Sequence, residues 1–263
     1  MKKRLISAII ALAMVIPLIY FGGIPFEMVV LTLAMFGFLE FANLDKKLPQ
    51  PVKMISMLCL AMIVFMNFGK NDENFLINSG IMAIIILIHF CMSVFYHENK
   101  NFDIVKCFKL LGVAFFLGLT FSLFIIVRNI DLLFFVYLIS IAIFTDTFAH
   151  IFGSIFGKHK VTEISPNKSW EGYIGGTILG TFLSAMFAYL VVADSDVNII
   201  FIIAITFVLS IIGSVGDLFF SQIKRHYGVK DFSNIMPGHG GILDRLDSIM
   251  FIMLALAFLS VLL

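Results

Sequence analysis

Between Ser221 and Asp247 the chain reads SQIKRHYGVKDFSNIMPGHGGILDRLD, a run rich in side chains that hold phosphates. Lys224, Arg225, Lys230 and Arg245 are cationic, and His239 sits in the turn Pro237-Gly238-His239-Gly240-Gly241. The glycines let backbone amides of such a turn approach phosphate oxygens closely. Asp244 and Asp247 are three residues apart, which puts both carboxylates on one face of a helix. Asp217 lies upstream in an apolar stretch, where a lone carboxylate is costly. Ser221, four residues later, shares its face, and Gly213 and Gly216 leave room for close helix approach or for a ligand. Three carboxylates beside these cations point to a metal-assisted phosphoryl or nucleotidyl centre.

A second constellation runs from Phe144 to Gly176 as FTDTFAHIFGSIFGKHK continuing into ISPNKSWEGYIGG. Asp146 stands toward the end of an apolar run, where it calls for a partner or a metal. Ser165-Pro166-Asn167-Lys168 reads as a turn presenting the lysine, and Trp170-Glu171-Gly172 opens a helix whose N-terminal amides attract anions. Lys158, Lys160 and Lys168 also suit plain membrane anchors, Trp170 an interfacial one, and Glu171 a partner of the helix dipole.

The elements that position these residues are membrane helices. The 263 residues are 60% hydrophobic and 13% charged, with a mean hydropathy of +1.05, far from soluble proteins. Apolar runs predict about nine spans, near residues 5–21, 25–43, 52–69, 75–96, 107–127, 131–152, 171–193, 199–220 and 245–263. The runs are continuous rather than alternating, so helices are expected and barrel strands are not. The fold class is therefore all-α: a polytopic integral membrane protein with no soluble domain. Residues 1–130 form about five N-terminal spans, and residues 131–263 form the catalytic spans with cytoplasmic loops 153–170 and 221–244.

Lys and Arg set the orientation. All eighteen except Lys70 and Arg128 fall at the N-terminus or in alternate loops, from Lys2, Lys3 and Arg4 through the groups at 46–53, 100–109, 158–168 and 224–245. The N-terminus and both constellations are thus expected in the cytoplasm, with the C-terminus outside, in the cell membrane. The basic start followed by an apolar run also resembles a secretory signal. Its one Ala-x-Ala, at Ala11, comes too early for cleavage. Cys59, Cys91 and Cys107 lack the paired spacing of zinc or redox sites and read as inert thiols. The net charge of +1 says nothing about partners.

The segment fits S-x-x-K-R-x4-K-D-x-S-x3-P-G-H-G-G-x2-D-R-x-D, and in it the chain resembles the CDP-diacylglycerol synthases, or phosphatidate cytidylyltransferases. The upstream F-G-K-x-K and S-P-x-K-x-W-E-G-x2-G-G are similar to that family's as well, so the resemblance covers roughly residues 144–250. It implies a reaction joining CTP and phosphatidate to give CDP-diacylglycerol and pyrophosphate. It further implies Mg2+ on Asp217, Asp244 and Asp247, with room for a second cation. Lys224, Arg225, Lys230, His239 and Arg245 are assigned to catalysis on the phosphates. Asp146, Lys158, Lys160, Ser165, Lys168, Ser221, Gly238, Gly240 and Gly241 are assigned to substrate binding. The expected partners are CTP, phosphatidate and membrane lipid, without nucleic acid, and a homodimer is left open. Phe220 stands where the family usually has Glu, Phe148 stands in a usual D-[ST]-G-A-Y, and Met236 replaces an aliphatic residue or Phe.

Two rival readings keep the same residues. One is a CTP-dependent kinase or cytidylyltransferase acting on another lipid. The other is a cation-coupled transporter, against which stand the clustering of acids at one face, no visible inverted repeat, and a phosphate-type turn that transport does not need. Glu27 and Glu40 are the transporter's best support, yet their places near span ends predict contact with water or headgroups. His89 is expected to be a packed, hydrogen-bonded residue.

Overall fold

The computed structural model describes residues 15–70, 78–166, 168–193, 197–235 and 240–262. Eight helices are delimited within them: α1 Gly23–Leu44, α2 Gln50–Phe65, α3 Ser79–Phe95, α4 Ile104–Ile130, α5 Leu132–Phe156, α6 Trp170–Phe187, α7 Ile199–His226 and α8 Leu243–Leu262. Residues 15–21 are also helical, and most of the first expected span lies outside the described residues. Among the described residues five helices (α1, α4, α5, α7, and α6 with its π-helical extension Ala188–Val192) are long and apolar enough to cross a membrane, and α2 and α3 are shorter apolar helices. Among the described residues there is no strand, and Lys160 and Ser169 form an isolated bridge. The protein is thus all-α and polytopic, as its composition required.

Helix limits follow local chemistry. Asn78, Asp131, Ser169 and Asn198 cap α3, α5, α6 and α7, their side-chain oxygens accepting from first-turn amides. The third expected span, 52–69, ends earlier than hydropathy suggests, because α2 stops at Phe65 and Gly69 turns the chain at φ +66°. In the other direction α7 runs six residues past its apolar stretch, carrying Lys224 and Arg225 on helix.

The chain divides into two compact units. The first comprises Met1–Ile130 and Asp231–Leu243, and the second Asp131–Lys230 and Asp244–Leu263. In the first, α4 packs against α1, α2 and α3. Its polar interior corrects one expectation: Glu27 and Glu40 do not meet water or headgroups but are 2% and 3% exposed. Burial is tolerated because each carboxylate accepts hydrogen bonds from two or more donors. Glu27 accepts from Gly69 N (2.9 Å) and Asn129 Nδ2 (2.8 Å). Glu40 accepts from Ser233 Oγ (2.6 Å), Ile242 N (2.9 Å) and Leu243 N (3.0 Å), so it draws residues 231–243 to this unit. Arg128 donates to the carbonyls of Ile19 and Tyr20 at 2.7 Å, satisfying orphan acceptors at the end of the helical residues 15–21. His89 is fully buried with Nδ1 on the Ile85 carbonyl at 2.9 Å, as expected.

In the second unit α5 packs on α6 over the longest interface, and α7 packs on both. Small residues set this spacing. A Cβ on Gly172 would lie 2.6 Å from the Ala149 carbonyl, on Gly176 2.6 Å from the Thr145 carbonyl, and on Gly180 2.6 Å from the Thr145 hydroxyl. The glycine ridge at four-residue intervals therefore lets α6 lie against the α5 backbone. Gly216 does the same for α7 and α8, where a Cβ would meet Phe251 at 2.7 Å and the Asp247 carbonyl at 2.8 Å. Two hydroxyl pairs, Tyr137 with Thr206 (2.7 Å) and Thr145 with Ser210 (2.8 Å), tie α5 to α7 inside the apolar layer.

Candidate active site

The close packing of α5 to α8 opens a polar cavity of about 520 Å³ in the second unit. Asp146 from α5, Lys168 from the loop before α6, Asp217 from α7, and Asp244 and Asp247 from α8 all line it. Four elements thus meet, and the two acids placed on one face by their spacing do face the same space. Gly153 and Gly172 stand at the contact of α5 with α6, so this part of the wall depends on residues without side chains.

Each acid has a partner. Lys168 pairs with Asp217 through its ammonium, and Lys224 Nζ donates to Asp244 Oδ1 at 2.6 Å. Ser248 Oγ donates to Asp146 Oδ2 at 3.1 Å, and the Ser248 amide donates to Asp247 Oδ1 at 2.9 Å. Burial pushes the Lys168 ammonium below the ordinary lysine range, while Asp146 and Asp247 pull it back up and Lys224 lowers it further. Lys168 reaches the cavity from the expected turn, closed by its amide on the Ser165 carbonyl at 3.1 Å. The loop is fastened by Glu171, which accepts from His159 Nδ1 at 2.6 Å and from the amides of Lys158 and His159. Glu171 therefore holds the loop in addition to standing in the first turn of α6.

Other expected site residues lie elsewhere. Lys158, Lys160 and Lys230 are exposed, and they, Ser165, Ser221, Arg225 and Arg245 are not among the cavity's lining residues; Lys224 does not line it either and meets it only through Asp244. Arg225 donates to the carbonyls of Ile164 (3.2 Å) and Val229 (3.1 Å), bracing the loop and the end of α7. Ser221 is 8% exposed. Gly238 and His239 lie outside the described residues. Gly240 has φ +83°, and a Cβ on Gly241 would lie 2.6 Å from the Glu40 carboxylate, so both positions need glycine. Phe148 is not a lining residue, and Phe220 is 1% exposed, its ring 6.4 Å from Phe251 and 5.9 Å from Phe219.

The cavity also includes residues the motifs left unassigned: His150, Ser154, Ser169 and Tyr173. His150 and Ser154 follow Asp146 by four and eight residues, so helical periodicity alone marks their face. Tyr173 carries no such mark.

Carboxylate oxygens are the donors that Mg2+ takes, and four carboxylates against two lysines leave a net negative charge. The donor chemistry fits a hard divalent ion. Among the described residues, however, no three His, Cys, Asp or Glu side chains converge on one ion position, and Asp217 and Asp244 are each paired with a lysine.

Anionic and cationic groups thus gather on one cavity among apolar helices. The family model described as "Cytidylyltransferase family" matches residues 2–263. A phosphatidate cytidylyltransferase of Staphylococcus haemolyticus is 36% identical over 259 residues, covering 96% of each chain. Those of Bacillus subtilis (34% over 267 residues, 98% of this chain and 97% of the relative) and Staphylococcus aureus (36% over 257 residues, 96% of each) are similar throughout. The chain belongs to the cytidylyltransferase family.

Proposed function

We propose that the chain is a phosphatidate cytidylyltransferase, joining CTP and phosphatidate to give CDP-diacylglycerol and pyrophosphate. Relatives that match almost its whole length bear that name. The observation that carries the reading is the convergence of Asp146, Lys168, Asp217, Asp244 and Asp247 on one cavity among membrane helices.

A phosphate oxygen of phosphatidate attacks the α-phosphorus of CTP. A new P–O bond forms, the bond from the α-phosphorus to the bridging oxygen breaks, and pyrophosphate leaves with that electron pair. The nucleophile is already anionic near neutral pH, so alignment and charge neutralisation matter more than a strong base. Lys168 and Lys224 supply the cations, exchanging the carboxylates of Asp217 and Asp244 for phosphate oxygens as substrate enters. Asp247 and, once released from their lysines, Asp217 and Asp244 would hold Mg2+, which when bound would neutralise the triphosphate further. Ser248 donates to Asp146 at the cavity wall and so ties α8 to α5. The alternation of basic loops supports a cytoplasmic opening, on the side where CTP is available.

The test follows the two labels of CTP. With purified protein and phosphatidate, label at the α-phosphorus should pass into the lipid phase and label at the γ-phosphorus should stay in water as pyrophosphate. Passage of the γ-label into lipid would identify a kinase and overturn the reading.

A further inference from the structure

Tyr173 lines two spaces at once. One is the acid cavity; the other is an apolar groove of about 500 Å³ between α6 and α7, walled by Trp170, Ile174, Ile178, Phe207, Ile211 and Leu218. The Tyr173 hydroxyl is buried and has no hydrogen-bond partner. Buried hydroxyls ordinarily find one, so an orphan at the junction of a polar and an apolar space points to a ligand oxygen. The Lys168 ammonium lies 5.7 Å from the Tyr173 ring centroid, which sets this junction beside the cation of the cavity. From Leu218 to Phe207 the groove follows twelve residues of α7, about 16 Å of mainly apolar wall at ~1.5 Å per residue. Trp170, Ile174 and Ile178 are 54%, 56% and 57% exposed, so the groove is open outward from apolar spans. Tyr173 falls at an unspecified position of W-E-G-x2-G-G, so the family motif does not account for it.

Charge at one end, the Tyr173 hydroxyl at the boundary and a mainly apolar wall beyond, broken only by Thr177 and Ser214, match the order of groups in a glycerophospholipid. We propose that the groove between α6 and α7 seats an acyl chain of phosphatidate, with the Tyr173 hydroxyl donating to an ester oxygen at its head. The proposal rests on the reading of the chain as a phosphatidate cytidylyltransferase, whose cavity takes the phosphate. The continuity of groove and cavity through Tyr173 favours substrate over a bulk bilayer lipid or a second copy of the chain.

Photolabelling of the full-length protein tests the occupant. Phosphatidate with a diazirine on its acyl chain should label peptides of α6 and α7, and unlabelled phosphatidate should compete. Labelling there by diazirine phosphatidylcholine that phosphatidate does not displace would make the occupant bulk lipid and overturn the proposal. Crosslinking of both helices to a second copy, without lipid label, would overturn it too. Kinetics test the residue. Tyr173→Phe should raise the KM for phosphatidate roughly three- to ten-fold, with little change in the KM for CTP and a smaller change in kcat, whereas a merely structural role would move all three. Ile178→Trp, which fills the groove, should shift preference toward shorter acyl chains. Wild-type protein that releases no pyrophosphate from CTP and phosphatidate would remove the functional reading itself. Active wild type with both variants superimposed on it would remove the groove alone.

Discussion

Glu40 shows how much a single buried carboxylate organises. It satisfies the amides of Ile242 and Leu243, the residues immediately before Asp244, and the hydroxyl of Ser233. Glu40→Ala leaves two buried amides and a hydroxyl without an acceptor, each costing about 1–3 kcal/mol. The variant should unfold at lower temperature in detergent and lose activity, which a thermal shift assay beside a turnover assay will show. Phe220→Glu should behave differently from a restored metal ligand. Its side chain lies among Phe219 and Phe251, so a carboxylate there is buried without a partner. Reduced yield with an unchanged Mg2+ titration is expected; a shifted titration would show that the new carboxylate reaches the site. Asp217, Asp244 and Asp247 were legible because an acid in an apolar run demands a reason and a three-residue spacing declares a face. Glu40 was not, since its donors come from residues some two hundred positions away and no local pattern marks such a pair.

Among the elements, α6 depends most on what its residues lack. In lipid the hydrophobic effect does not drive helices together, so close packing over small residues carries the association. A Cβ on Gly176 would press within 2.6 Å of the Thr145 carbonyl and 2.7 Å of the Ala149 amide, neither of which yields cheaply. Gly176→Ala should therefore destabilise by about 1–3 kcal/mol. Gly112→Ala, in α4 with nothing within 4 Å of the added carbon, should be neutral or stabilise by up to about 1 kcal/mol. Thermal unfolding of the two variants in one detergent checks the pair, and equal losses would refute the packing argument. Helix identity was readable from hydropathy throughout. Helix ends were less so, because caps such as Asn78 and the turn at Gly69 act through geometry that hydropathy does not see.

At the scale of the whole molecule, the cavity draws on residues from α5 to α8, and the alternation of basic loops predicts that it opens to the cytoplasm. Reporter fusions in the loop of Lys168 and at His239 should report cytoplasm, and fusions near Lys70 and at the C-terminus should report the exterior. An exterior signal at Lys168 would separate the site from CTP and undo the orientation. The grouping of acids with lysines followed from two motifs, yet the motifs alone did not say which cations turn inward. Lys168 and Lys224 meet carboxylates of the cavity, while Lys158, Lys160 and Lys230 are exposed outside its lining, a distinction made by helix packing rather than by sequence pattern. The central claim, that this cavity is where CTP and phosphatidate are joined, is tested most directly by the turnover of purified wild type and Asp217→Asn with both substrates. Wild type should release pyrophosphate and form CDP-diacylglycerol. The variant, inserted and folded, should be slower by about 10²–10³-fold, as when a charge-stabilising group is lost. A silent wild type, or a variant turning over at the wild-type rate, would contradict the claim.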